Sequence, residues 1–169
     1  CAMLDSIYRE NGYKVGLFSS PHLVELGERI RVNGKVLPLH GIEEYVRFIK
    51  PIADEMEAEK VGLGPTFFEM MTAMAFLVFA ERKVDLAILE TGLGGRLDST
   101  NVVKPILSII TTIALDHCSI LGHSIEEIAR EKAGIIKRGI PALTGWLPDA
   151  ANKVIREVVD SKSTSLESM

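Results

Sequence analysis

Three short polar stretches carry residue types from which a phosphate- and metal-handling site could be built. Ser19-Ser20-Pro21-His22 follows one apolar run. Glu90-Thr91-Gly92-Leu93-Gly94-Gly95-Arg96-Leu97-Asp98 follows a second, and Asp116-His117 a third. In an open parallel sheet, ligands bind beyond the carboxyl ends of the strands. If the three runs are parallel strands, Ser20, Glu90 and His117 meet on one edge. A hydroxyl, a carboxylate and an imidazole in one place suit a hard cation such as Mg²⁺, with substrate phosphate completing its shell. The imidazole leaves Zn²⁺ or Mn²⁺ open on composition alone. Each residue also has a plainer reading: Ser20 as a turn before Pro21, Glu90 as a helix cap, Asp116-His117 as a hydrogen-bonded loop pair. Their coincidence on one edge is what favours chemistry. The Gly92-Leu93-Gly94-Gly95 run adds little, since it lacks Gly-x-Gly-x-x-Gly spacing and no Lys-Ser/Thr follows.

Lys132 is the sharpest single anomaly. It falls in the apolar stripe of Ile125, Ile128, Ala129, Ala133 and Ile136 on an expected helix. A lysine turned toward a core or cleft is disfavoured in its charged form. The neutral amine can act as a nucleophile, or take up CO₂ as a carbamate, an anionic oxygen ligand for a metal. Read alone, a lysine whose stem packs while its head reaches water is the commoner case.

The elements that would position these residues alternate between strand and helix. Met3, Leu4, Ile7 and Tyr8 have helical spacing, stopped by Asn11-Gly12, and Lys14 to Ser19 follows as a strand. Arg29–Val32, Asn33-Gly34 and Lys35–Leu37 predict a β-hairpin. Ile42 through Met56 forms an amphipathic helix that Pro51 should kink or split. Thr66 with Glu69, and Ser124 with Glu127, are capping-box pairs, the first opening a helix to Ala80 and the second one to Lys137. Val84–Glu90 is apolar on both faces, as a central parallel strand is. Ile106–Ile113 and Ile140–Thr144 are further strands, and Asp149–Val159 a closing helix. The fold class implied is α/β, a mainly parallel sheet with helices on both faces and a small β-hairpin excursion.

The chain has 169 residues, suited to one domain, with 47% hydrophobic and 25% charged residues, which excludes disorder. A net charge of −4 argues against nucleic-acid or anionic-membrane partners. Cys1 and Cys118 are no disulfide framework, and a reducing cytosol is the expected location. No signal peptide stands out. The longest apolar run, Phe67 to Ala80, is too short to span a bilayer. The chain starts in helical spacing with no cap before it, so an incomplete domain is expected over residues 1–160, and residues 161–169 read as a polar tail or a cut connection.

Taken together, SSPHL (19–23), ERIRVNG (28–34), TFFE (66–69), ETGLGGRLDSTN (90–101), Asp116-His117 with Leu121-Gly122, and EKAG (131–134) resemble the Mur ligase superfamily, in its folylpolyglutamate synthase and dihydrofolate synthase branch. The likeness runs from Cys1 to about Val159. It implies a Mur-ligase-type central ATPase domain. It implies Ser20, Glu90 and His117 as Mg²⁺ ligands, and Lys132 as a carbamylated lysine helping to hold a second Mg²⁺. Thr66, Phe67, Phe68 and Glu69, together with Leu97, Asp98 and Ser99, match segments that line the pteridine-substrate site. Ser99 stands where the family usually has Ala, and Asn101 carries no assigned role. The family's phosphate loop should stand just before Cys1, and a second α/β domain should follow.

The implied activity is joining L-glutamate to dihydropteroate or to reduced folate glutamates, through an acyl phosphate made from ATP. Glu90, His117 and Lys132 would be the catalytic residues of a cytoplasmic enzyme that is monomeric when complete, with the present chain inactive alone. Two other readings stand beside it: a ligase adding amino acids to a cell-wall nucleotide precursor, and an inactive nucleotide-fold fragment.

Overall fold

The structure, a computed structural model, describes residues 1–168; Met169 lies outside them. The chain divides into two units, Cys1–Gly92 and Leu93–Met169, each with its own sheet.

In the first unit, helix α1 (Ala2–Glu10) ends at Asn11, and Gly12 turns the chain with φ +85°. Strand β1 (Val15–Phe18) is buried along its whole length. It pairs antiparallel with β2 (Ile30–Val32), which pairs antiparallel with β3 (Lys35–Val36). Asn33 and Gly34 take φ +49° and +73°, the two positive values that a two-residue hairpin turn requires. The hairpin expected from Asn-Gly is therefore present. Asn33 Oδ1 also accepts the Val15 N–H at 2.8 Å, tying the turn to β1. On the other side of β1, β4 (Leu86–Leu89) runs parallel, with Phe18 opposite Leu89.

Alternation along β1 sends side chains to two different helical layers. Val15 and Leu17 pack with Ile88 and with Leu4 and Tyr8 of α1. Phe18 packs with Ile30 and with residues of α2 (Leu39–Glu59) and α3 (Phe67–Arg82), among them Ile42, Ile49, Met71 and Met74. Full burial of a side chain such as Phe18 stabilises by about 1.5–3 kcal/mol. Gly16 lies on the α3 side, where a Cβ would come within 2.6 Å of the Phe79 ring. The Tyr45 hydroxyl donates to the Glu81 carboxylate, linking α2 to α3. Burial, and then Glu81, push Tyr45 up to about 12.

Two expectations are corrected in this unit. Of the kink or split expected at Pro51, the split does not occur; α2 runs unbroken from Leu39 to Glu59. The strand expected at the centre of a sheet, now β4, is at one end of the order β3-β2-β1-β4, and its Ala87 is exposed. An apolar run marks a strand, but it does not reveal how many neighbours the strand has within the chain.

The second unit contains β5 (Ser108–Ile110), the single turn α4 (Cys118–Leu121), α5 (Ile125–Ala133), β6 (Ala142–Thr144), α6 (Asp149–Ser161) and β7 (Leu166–Ser168). Its three strands are all parallel, in the order β5-β6-β7. Ile110 and Ala142 pack with Ile128, Ala129 and Ala133 of α5 and with Ala151, Val154, Ile155 and Val159 of α6. Ser108 Oγ donates to the Ile135 carbonyl at 2.8 Å and so ties β5 to the chain following α5. Residues 166–168, expected in a polar tail, instead form β7 against β6. Backbone pairing, which polarity does not report, overrides the composition there. The helix expected to reach Lys137 ends at Ala133, where Gly134 takes over as its cap.

Candidate active site

The parallel pairing of β1 with β4 sets the geometry of the first unit's polar edge. Both strands end at the same level, so the residues after them are neighbours. The Glu90 N–H donates to the Phe18 carbonyl at 2.9 Å. The Glu90 carboxylate in turn accepts the Ser20 N–H at 2.9 Å through Oε2. Glu90 Oε1 and Ser20 Oγ have no protein partner among the described residues, and both residues are half-buried. A carboxylate anchored through one oxygen, beside a hydroxyl, leaves oxygen donors of the kind that Mg²⁺ takes. These two residues fit the ion.

The segment after Ser20 is held in place by two charged side chains. The Ser20–Pro21 peptide is cis. The Glu28 carboxylate accepts the backbone N–H groups of Leu23, Val24 and Glu25 at 2.9–3.0 Å. Those bonds, the Glu25 one foremost, hold Glu28 below the usual carboxylate range. Arg29 Nε donates to His22 Nδ1 at 2.9 Å, and its guanidinium stands 5.4 Å from the centre of the Phe67 ring.

The TFFE stretch opens α3. Thr66 Oγ1 accepts the Glu69 N–H at 3.3 Å, and the Glu69 carboxylate accepts the Thr66 N–H at 2.6 Å, which is the capping box read in the sequence. Thr66 and Glu69 are thus at work on the helix end itself. Phe67 is exposed and Phe68 half-buried. The Phe68 ring packs beside Phe18 and fills the space that a Cβ on Gly92 would need.

In the second unit the motif loop 93–101 is bound to the end of α5. The Asp98 carboxylate accepts the Leu93 N–H at 3.0 Å and both the N–H and hydroxyl of Thr100 at 3.0 and 2.6 Å, so it organises its own loop. Leu97 is exposed and Ser99 half-buried. The Arg96 N–H donates to the Glu131 carbonyl, and the Arg96 side chain pairs with the Glu131 carboxylate at 3.0 Å. Asn101, to which the sequence reading assigned nothing, is a clamp. Its Nδ2 donates to the carbonyls of Arg96 and Gly134 at 3.0 and 3.1 Å, and its own carbonyl accepts Lys137 Nζ at 2.8 Å. Gly134 has an ordinary helical φ of −58°, so it is glycine for space alone. A Cβ there would lie 2.4 Å from Arg96 Cα. The GGRLD and EKAG stretches are parts of one packed structure.

Lys132 lies on this same short helix. It is half-buried, flanking the stripe of Ile128 and Ala129 rather than joining the core, and its amine has no protein partner among the described residues. His117 caps α4 in the left-handed region, with φ +49°. Its N–H donates to Asp116 Oδ1 at 2.8 Å, and its ring Nε2 is 3.7 Å from Asp116 Oδ2, with the side chain exposed. Both the plain loop-pair reading of Asp116-His117 and a solvent-facing imidazole are present together. Among the described residues no three His, Cys, Asp or Glu side chains gather as a metal cluster. The expected ligand set holds only two such residues, Glu90 and His117.

No protein-family model matches the chain. It is 48% identical over 169 residues to the dihydrofolate synthase/folylpolyglutamate synthase of Bacillus subtilis, covering 99% of this chain and 39% of that protein. Over this stretch, the chain is similar to the folylpolyglutamate and dihydrofolate synthases. The folylpolyglutamate synthase of Thermotoga maritima has the same fold, with a TM-score of 0.91 at 42% identity over 98% of this chain and 38% of that one. A folylpolyglutamate synthase complex with AMPPCP and folate superposes with a TM-score of 0.92 at 37% identity, over 98% of this chain and 40% of that one. The chain therefore spans about two fifths of the folylpolyglutamate synthases named here. Among the described residues no helix is long and apolar enough to cross a membrane.

Proposed function

We propose that the protein carrying this chain ligates L-glutamate to dihydropteroate, to reduced folate glutamates, or to both, using Mg-ATP. The reading is carried by the likeness, across 98% of the chain, to a folylpolyglutamate synthase complex with AMPPCP, an ATP analogue, and folate. Residues 1–160 act as part of its ATP- and folate-binding domain. The enzyme works in the cytoplasm as a monomer.

The chemistry follows from the weakness of a carboxylate as an acyl donor. A carboxylate oxygen of the folate substrate attacks the γ-phosphorus of ATP, the bond to the bridging oxygen breaks, and ADP leaves. The glutamate amine then attacks the acyl phosphate carbon. The C–N bond forms, the C–O bond to phosphate breaks, and the amine releases a proton. Bound Mg²⁺ offsets the charge on the phosphoryl oxygens. Ser20, Glu90 and His117 are the proposed ligands of one ion, and Lys132, as its carbamate, helps to hold a second. Glu90 is supported by its anchored oxygen. Lys132 is supported by its half-buried place on α5, with no protein partner for its amine among the described residues. Thr66, Phe67, Phe68 and Glu69 bind the pteridine-bearing substrate together with Leu97, Asp98 and Ser99. Of these, Phe67 and Leu97 offer exposed apolar surface for a flat ring.

The test is ADP release by the whole protein. Sustained turnover should require L-glutamate and a folate-type carboxylate together. Release driven instead by a UDP-sugar peptide precursor would establish the cell-wall ligase.

A further inference from the structure

Arg29 stands where three parts of the first unit meet. Its carbonyl accepts the Ser19 N–H at 3.0 Å, next to the proposed metal ligand Ser20. Its Nε donates to His22 Nδ1 at 2.9 Å, and its guanidinium lies over the exposed ring of Phe67 at 5.4 Å. Arginine only donates, so His22 Nδ1 must supply the lone pair and the ring carries its proton on Nε2. One side chain thereby fixes the plane and tautomer of His22 and one face of Phe67. It makes no ion pair among the described residues, so no carboxylate competes for it. Its backbone is fixed by β2, whose first residue, Ile30, is fully buried.

Exposed aromatic rings at a helix start ordinarily sample several rotamers, and binding a ligand must then order them. A guanidinium can stack on a ring and donate in its own plane at once, which an ammonium cannot do. We propose that Arg29 is a positioning residue for the folate-type substrate: it pre-sets His22 and Phe67 as one wall, and acts through them rather than by touching the reacting atoms. The inference rests on the folate-ligase reading, within which Phe67 faces substrate.

The experiment uses the whole protein and measures kcat, the KM for dihydropteroate or tetrahydrofolate, and the KM for MgATP. R29K and R29M are compared with wild type. Loss of a cation–π contact and a charged hydrogen bond predicts a rise of about tenfold in the folate-substrate KM. The MgATP KM should stay within about twofold and kcat should change less than the folate KM. R29K should not rescue, despite keeping the charge. Combining R29K with F67A should add little to the loss caused by F67A alone, since both remove the same wall. If R29M fails to fold, R29K and its double variant carry the comparison. A folate KM within twofold of wild type in R29K overturns the proposal, as do equal rises in both KM values or multiplicative losses in the double variant. A folded wild-type protein that releases no ADP with either folate substrate overturns the folate-ligase reading itself, and the role of Arg29 with it.

Discussion

The Glu90 carboxylate accepts the Ser20 backbone N–H at 2.9 Å, joining the ends of two parallel strands whose residues are 70 positions apart. That bond orients the carboxylate before any ligand arrives, and it leaves Oε1 for another partner. In the whole protein, E90A should lower ATP-dependent ligation by about 100-fold or more, the scale of a lost Lewis-acid contribution of several kcal/mol. E90Q, which can still accept the Ser20 N–H, should be nearly as inactive while melting close to wild type. Steady-state kinetics alongside thermal unfolding separates the two effects, and full activity in E90A would remove Glu90 from the metal site.

Lys132 gives a prediction with its own chemical signature. If its carbamate holds a metal, stripping CO₂ and bicarbonate from the whole protein should lower activity, and adding bicarbonate should restore it. K132R cannot form the carbamate and should lose about 100-fold. Activity indifferent to CO₂, with K132R near wild type, would return Lys132 to a lysine that simply reaches solvent.

The capping boxes make a stability prediction. Thr66→Ala and Ser124→Ala each remove a side-chain acceptor for the first turn of a helix. Each should cost about 1 kcal/mol in denaturant unfolding. Ser124 is outside the proposed site, so S124A should leave the KM values alone.

Space at the junction of motifs predicts a larger effect. Gly134→Ala drives a methyl group toward Arg96 Cα, which is backbone and cannot swing aside. A loss of about 1–3 kcal/mol is expected from such overpacking. Asn101→Ala should also destabilise this junction, because the Arg96 and Gly134 carbonyls both lose a donor. Unfolding midpoints of both variants check the clamp.

Four carboxylates make folding sensitive to acid. Glu28, Glu57, Glu69 and Glu127 are each held below the usual 4.5, chiefly by backbone N–H bonds from Glu25, Gly62, Thr66 and His123 respectively. A depressed folded value means the stabilisation is fully present above 4.5 and is lost as pH falls through the lower folded values. Unfolding midpoints followed from about pH 6 to pH 3 should drop mainly below 4.5, and E127Q should shallow that drop. A midpoint that stays flat through this range would contradict the bonding of these loops.

Much of this was legible in the sequence because the signals were local. Asn33-Gly34 carries its own turn geometry, and Thr66 with Glu69 carries its own cap. Ser20 and Glu90 could be placed on one edge because parallel strands align their ends. What was hidden depended on partners distant in the chain. Asn101 reads as an ordinary loop residue until Arg96 and Gly134 are beside it. Arg29 reads as part of a hairpin until His22 and Phe67 face it. Residues 166–168 look like a polar tail because strand pairing there uses backbone groups common to all residues. Helical periodicity turns Lys132 toward a core or a cleft, and on the nine-residue α5 the side chain is half-buried rather than part of the core.

The most direct measurement is ADP formation by the whole protein with MgATP, L-glutamate, and either dihydropteroate or tetrahydrofolate, each omitted in turn. Sustained, multiple-turnover release is expected only when all three substrates are present, with the active pterin naming the branch. A folded protein that releases no ADP with either pterin, or that turns over ATP as fast without glutamate as with it, would contradict the folate-ligase reading.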